Sequence, residues 1–119
     1  MDALKEKKLP KVIQWLKLKG FSNIKANLDG FEDPKAYQYQ AQGDRFVPDA
    51  TAIKFGQKCY FEVALKSEEV NRSLRKWKLL SALADMKNGT LYLFTPRGHK
   101  AFVERMVAKR QLNAEIISV

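Results

Sequence analysis

The chain is short of the residues that most often announce a chemistry. It has one cysteine, Cys59, and one histidine, His99. A lone cysteine excludes an internal disulfide, and no Cys/His spacing suited to zinc occurs. Cys59 stands in an apolar run and is expected as a small buried hydrophobe. His99 follows Gly98, with no serine, cysteine or second histidine at a catalytic spacing, so a surface or capping role is expected. There is no glycine-rich phosphate loop. No apolar run reaches the roughly 20 residues that cross a bilayer. The opening "MDALKEKKLPK" lacks the apolar core of a secretion signal, so a cytoplasmic location away from membranes is expected. Acidic residues are scarce too: 13 Asp and Glu against 22 Lys and Arg leave a formal charge of +9. Such an excess points towards a polyanion, most often nucleic acid, or else serves solubility.

What remains is the composition of an ordinary folded domain. Of 119 residues, 45% are hydrophobic and 11% aromatic, with no low-complexity run or internal repeat, so a single domain spanning 1–119 is expected. Leu9, Val12, Ile13 and Leu16 repeat at helical spacing, with Asp2 as N-cap and Gly20 as stop. Pro10 interrupts that pattern, which predicts a helix starting near Pro10 or a short turn before it. "FSNIKANL" and "AYQYQAQ" alternate weakly, and at least one is expected to be a strand. Two strands follow in "VPDATAIKFGQKCYFEVALK", joined at Gly56 and Gln57. A long amphipathic helix is predicted from an N-cap at Ser67, with Val70, Leu74, Trp77 and Ala84 as its core stripe and Arg72, Arg75 and Lys76 facing away. Asn88 and Gly89 end it. "TLYLFT" reads as an interior strand, "RGHKAFVERMVAKRQL" as a helix and "AEIISV" as a last strand. This order predicts an α/β domain, a mixed central sheet with helices on both faces.

The charges in the predicted hairpin stand out. Alternation along a strand puts Tyr60, Glu62, Ala64 and Lys66 on one face and Cys59, Phe61, Val63 and Leu65 on the other. Glu62 thus shares its face with apolar neighbours and needs a cation as partner. A turn near Gly56 brings Asp49, at the start of the preceding strand, nearly opposite Glu62. Two facing carboxylates repel unless something positive lies between them. A hard divalent ion such as Mg²⁺ is held by few carboxylates plus water and phosphate, and lysine or arginine would also serve. Alone, Asp49 after a proline is an ordinary strand-start residue.

Pro48–Asp49, a short hairpin and then "FEVALK" resemble the PD-(D/E)XK nuclease-like superfamily. The helix, three strands, helix and strand are similar in order to its αβββαβ, restriction-endonuclease-like core, here with an added helix and strand. Roughly residues 4–96 are similar to small Holliday-junction resolvases and to the nuclease-like domain of plasmid replication-relaxation proteins. The resemblance implies that Asp49 and Glu62 bind Mg²⁺ or Mn²⁺ and that a lysine polarises the attacking water. The usual lysine position is Ala64 here. Lys66, on the same face but ~6.7 Å further along the strand, and Lys78 on the following helix are the candidate replacements, and Glu6 is a candidate extra acid on the first helix. Either the lysine has moved or the site no longer cuts.

Two readings therefore stand side by side. In one the protein is a Mg²⁺-dependent DNA endonuclease, with Arg72, Arg75, Lys76 and Lys78 on phosphates and Asp49, Glu62, Lys66 and Lys78 at the chemistry. In the other it is an inactive accessory protein that binds DNA or a protein partner in plasmid replication or mobilisation. Many domains of the superfamily it resembles work as dimers, so a homodimer is one expectation and a monomer stays open. A third option is an interaction domain whose charge serves solubility. Phe31, Tyr37 and Tyr39 are either hairpin packing or a loop that stacks on bases.

Overall fold

The computed structural model describes residues 2–38 and 43–119. Tyr39 lies outside them. The first helix, α1, runs Ala3–Leu18, with the Asp2 carboxylate accepting from the backbone N–H groups of Leu4 and Lys5. It passes through Pro10, contrary to the start expected there. Pro10 lies on the exposed side, where the carbonyl that loses its partner meets water. Gly20 closes the helix at φ +84°, with its N–H on the Lys17 carbonyl and the Phe21 N–H on that of Leu16.

Three strands carry the chain out and back: β1 Ser22–Ala26, then, after a small ribbon of β2 Tyr37–Gln38 and β3 Arg45–Phe46, the hairpin β4 Ala50–Lys54 and β5 Gln57–Val63. The hairpin turn falls on Phe55 and Gly56, both at positive φ, one residue earlier than expected. Helix α2 Val70–Met86, strand β6 Leu91–Thr95, helix α3 Lys100–Arg110 and strand β7 Glu115–Ser118 complete the chain. Ser67 does not cap α2; its hydroxyl accepts from the Glu69 N–H in a local turn, and the helix begins three residues later.

The main sheet has the order β1-β4-β5-β6-β7, antiparallel from β1 to β5 and parallel from β5 to β7. It is the mixed sheet expected of this α/β domain. Both faces are covered. On one, Leu9, Val12, Ile13 and Leu16 of α1 pack on Phe61, Val63 and Phe94. On the other, Leu74, Trp77 and Leu80 of α2 and Val103 of α3 pack on Tyr60, Leu91 and Leu93. Burial on both sides explains why β5 and β6 read as near-continuous apolar runs. Among the described residues no helix is long and apolar enough to cross a membrane.

Candidate functional site

Register builds the site. Ala50 pairs with Phe61, and one step further the hairpin sets Asp49 opposite Glu62. Each carboxylate then takes a backbone N–H from the other strand. The Asp49 N–H donates to Glu62 Oε2 at 2.6 Å, and the Val63 N–H donates to Asp49 Oδ2 at 2.8 Å. Asp49 is 4% exposed and Glu62 2%. Burying two ionised carboxylates costs several kcal/mol each without compensating charge.

Two lysines supply that charge from opposite sides of the sheet. Lys5, in the first turn of α1, places Nζ 3.0 Å from Asp49 Oδ2 and 3.9 Å from Glu62 Oε1. Lys76, in α2, places Nζ 2.8 Å from Glu62 Oε1. Burial and the neighbouring Glu62 charge push the Asp49 carboxyl up to about 7, against the pull of Lys5, Lys76 and the Val63 N–H. Glu62 goes the other way. Burial pushes it up, but Lys5, Lys76 and the Asp49 N–H together outweigh burial and hold it below the usual carboxylate range. For Lys5 the loss of solvent is likewise overcome by the two carboxylates, which hold its ammonium above the ordinary lysine range. The pair is thus asymmetric: the Asp49 carboxyl is pushed up and the Glu62 carboxyl is held down.

The cluster forms the floor of an open cavity of about 460 Å³. Lys66, Arg72, Ser73 and Asn27 line its walls. The structure therefore brings together Asp49, Glu62 and Lys76, with Lys66 and Arg72 in the same cavity. Lys66 follows the end of β5 rather than lying in it, is exposed, and donates its backbone N–H to His99 Nδ1 at 2.8 Å. Its ammonium makes no ion pair with either acid among the described residues. Lys78 does not join the acids. It is exposed and lines a separate cavity with Arg75 and Arg110, between α2 and the end of α3. Glu6 lines a third, beside Leu28 and Asp33. Arg75 is exposed, paired with Asp44. Lys76, expected on the solvated face, points inward instead.

Sequence reasoning missed Lys5 and misplaced Lys76. A signal existed for both. Lys5 precedes Leu9 by four residues and Val12 by seven, so it extends the buried stripe of α1 once the helix is allowed to run through Pro10. Lys76 and Lys78 flank Trp77 on opposite sides of the α2 stripe, and the seating of the helix on the sheet selects Lys76.

Tyr37 belongs to a second polar cluster. Its hydroxyl accepts from Lys58 Nζ at 3.0 Å and lies 3.3 Å from the Tyr60 hydroxyl. That packing accounts for Tyr37 without a nucleic-acid base. No group of three or more His, Cys, Asp and Glu side chains suited to a metal occurs among the described residues. No family model, curated protein or solved structure matches the chain.

Proposed function

We propose that the protein is a nuclease-like DNA-binding protein in which Asp49 and Glu62 hold Mg²⁺ or Mn²⁺ for hydrolysis of a phosphodiester bond. One observation carries the reading: two buried carboxylates from adjacent strands converge on a single spot, and that spot opens into a cavity walled by Lys66, Arg72 and Lys76. The donor set fits a small hard cation, which takes one or two carboxylates and fills its remaining positions with water and phosphate oxygen. The Lys5 ammonium, within 4 Å of both acids, is a built-in stand-in for such a charge. When bound, the metal would supply Lewis acidity and a more acidic water. The chain's own groups have separable roles. Asp49 and Glu62 are the ligands. Lys76 holds the Glu62 carboxylate in place and adds positive charge beside the scissile phosphate. Lys66 and Arg72, on the cavity wall, take flanking phosphates.

A second reading has its own support. Lys5 and Lys76 already neutralise both acids, an arrangement that is complete without metal. In this reading the domain is an inactive accessory protein that binds DNA, or a protein partner in plasmid replication or mobilisation, alone or as a homodimer.

Incubation with supercoiled plasmid and Mg²⁺ or Mn²⁺ separates the two. Nicking by the native protein that is lost in both Asp49→Ala and Glu62→Gln supports hydrolysis. DNA binding with no nicking under either metal supports the accessory role, and nicking that survives both substitutions rules out this site.

A further inference from the structure

Two arginines of α2 converge on one oxygen. Arg72 Nη1 lies 3.2 Å and Arg75 Nη2 2.7 Å from Oδ2 of Asp44, just before β3. Two like charges brought this close repel, and the Asp44 carboxylate between them offsets that repulsion. Arg72 is held there further by the Phe46 ring, whose centroid lies 4.8 Å from the guanidinium carbon. The three charged side chains are each between 40% and 55% exposed. Ion pairs in that much water are weak, so another anion can replace the carboxylate.

The position of the pincer gives it meaning. Arg72 lines the cavity that holds Asp49 and Glu62, with Lys66 and Lys76. Arg75 lines the cavity of about 310 Å³ on the other flank of α2, with Lys78 and Arg110. Neither Lys78 nor Arg110 has an ion-pair partner among the described residues. The mixed-charge cavity of the acid pair and the purely basic cavity of Lys78 and Arg110 thus lie on either side of Arg72 and Arg75, which Asp44 bridges.

We propose that Arg72 and Arg75 form a site for one backbone phosphate of DNA, that the Asp44 carboxylate is its internal occupant, and that DNA binds by displacing Asp44 and running on to Lys78 and Arg110. A phosphodiester offers two unesterified oxygens to two guanidinium groups, where Asp44 offers one to both. The inference rests on the nucleic-acid reading above, but needs neither metal nor cleavage.

The test is anisotropy of a labelled DNA duplex titrated with protein in EDTA, over a series of salt concentrations. Asp44→Asn is compared with Asp33→Asn, an exposed acid elsewhere that makes the same change in net charge. Asp44→Asn is expected to tighten binding at least fivefold and to steepen the slope of log Kd against log salt by about 1. Asp33→Asn is expected to change Kd less than twofold. Adding Arg72→Ala and Arg75→Ala to Asp44→Asn should abolish the gain. Equal effects of the two acid substitutions, or a gain that survives loss of both arginines, overturn the inference while leaving DNA binding intact. Absence of binding by the native protein overturns both.

Discussion

Asp49 and Glu62 exchange roles across the β4–β5 pairing: the backbone of the first donates to the side chain of the second, and the residue after the second donates back to the first. This reciprocity anchors the acids through main-chain atoms, independently of the lysines. It resembles a strand hydrogen-bond pair with carboxylates in place of carbonyls. The lysines then decide how charge is shared, and that sharing can be measured.

Asp49 should make stability depend on pH in the unusual direction. Its carboxyl sits at about 7 when folded and has an ordinary value of 3.8. Between roughly pH 4 and 7 the folded state therefore binds the extra proton, and this group's contribution falls as pH rises. One unit is worth about 1.4 kcal/mol, so its ceiling is about 4 kcal/mol. Glu62 is depressed and acts oppositely: its stabilisation is present above its ordinary value of 4.5 and is lost as pH falls through its folded value. Asp49→Asn removes the first dependence and also takes one carboxylate from beside Glu62 and Lys5. Denaturant melts at pH 5 and pH 8 should show the variant gaining on the native protein at the higher pH. Parallel pH profiles would contradict this assignment.

Removing Glu62 should be costly. Glu62→Ala leaves the half-buried Lys5 and Lys76 short of a partner and the Asp49 N–H unpaired. Breaking one side of a buried ion pair costs about 3–5 kcal/mol. Glu62→Gln keeps the acceptor for the Asp49 N–H and should cost less. Urea denaturation of the two variants checks the order.

Lys76 and Lys78 should part company in function. Lys76→Met should abolish metal-dependent nicking, whereas Lys78→Met should leave the rate at saturating DNA unchanged and reduce the salt slope of binding by about 1. Nicking assays combined with binding titrations distinguish them, and the reverse pattern would move the chemistry to the α2–α3 cavity.

Two turns give opposite predictions for small substitutions. A Cβ on Gly89 would lie 1.8 Å from the Lys58 carbonyl oxygen in β5. Gly89→Ala should therefore lose about 1–3 kcal/mol or more, because strand backbone has to move. Phe55, 89% exposed, sits at φ +53° in the first position of the hairpin turn. Phe55→Asn, which creates the Asn-Gly pair favoured in such turns, should gain up to about 1 kcal/mol in a thermal melt.

Local chemistry made much of this protein legible from its residues. Apolar spacing marked α1, α2, α3, β5 and β6. The placement of Asp49 and Glu62 at one level of a hairpin followed from alternation and a glycine-bearing turn. What lay beyond reach depended on contacts distant along the chain. Pro10 argued locally against helix, and packing of Leu9, Val12, Ile13 and Leu16 on the sheet outweighs it. That override carries Lys5 to Asp49, 44 positions away. The choice of Lys76 over Lys78 rests on how α2 seats its stripe on the sheet, and a helix viewed alone treats both flanks of Trp77 alike. Periodicity describes one element at a time, whereas this cluster draws on α1, α2, β5 and the start of β4, so only the folded chain decides which charges meet.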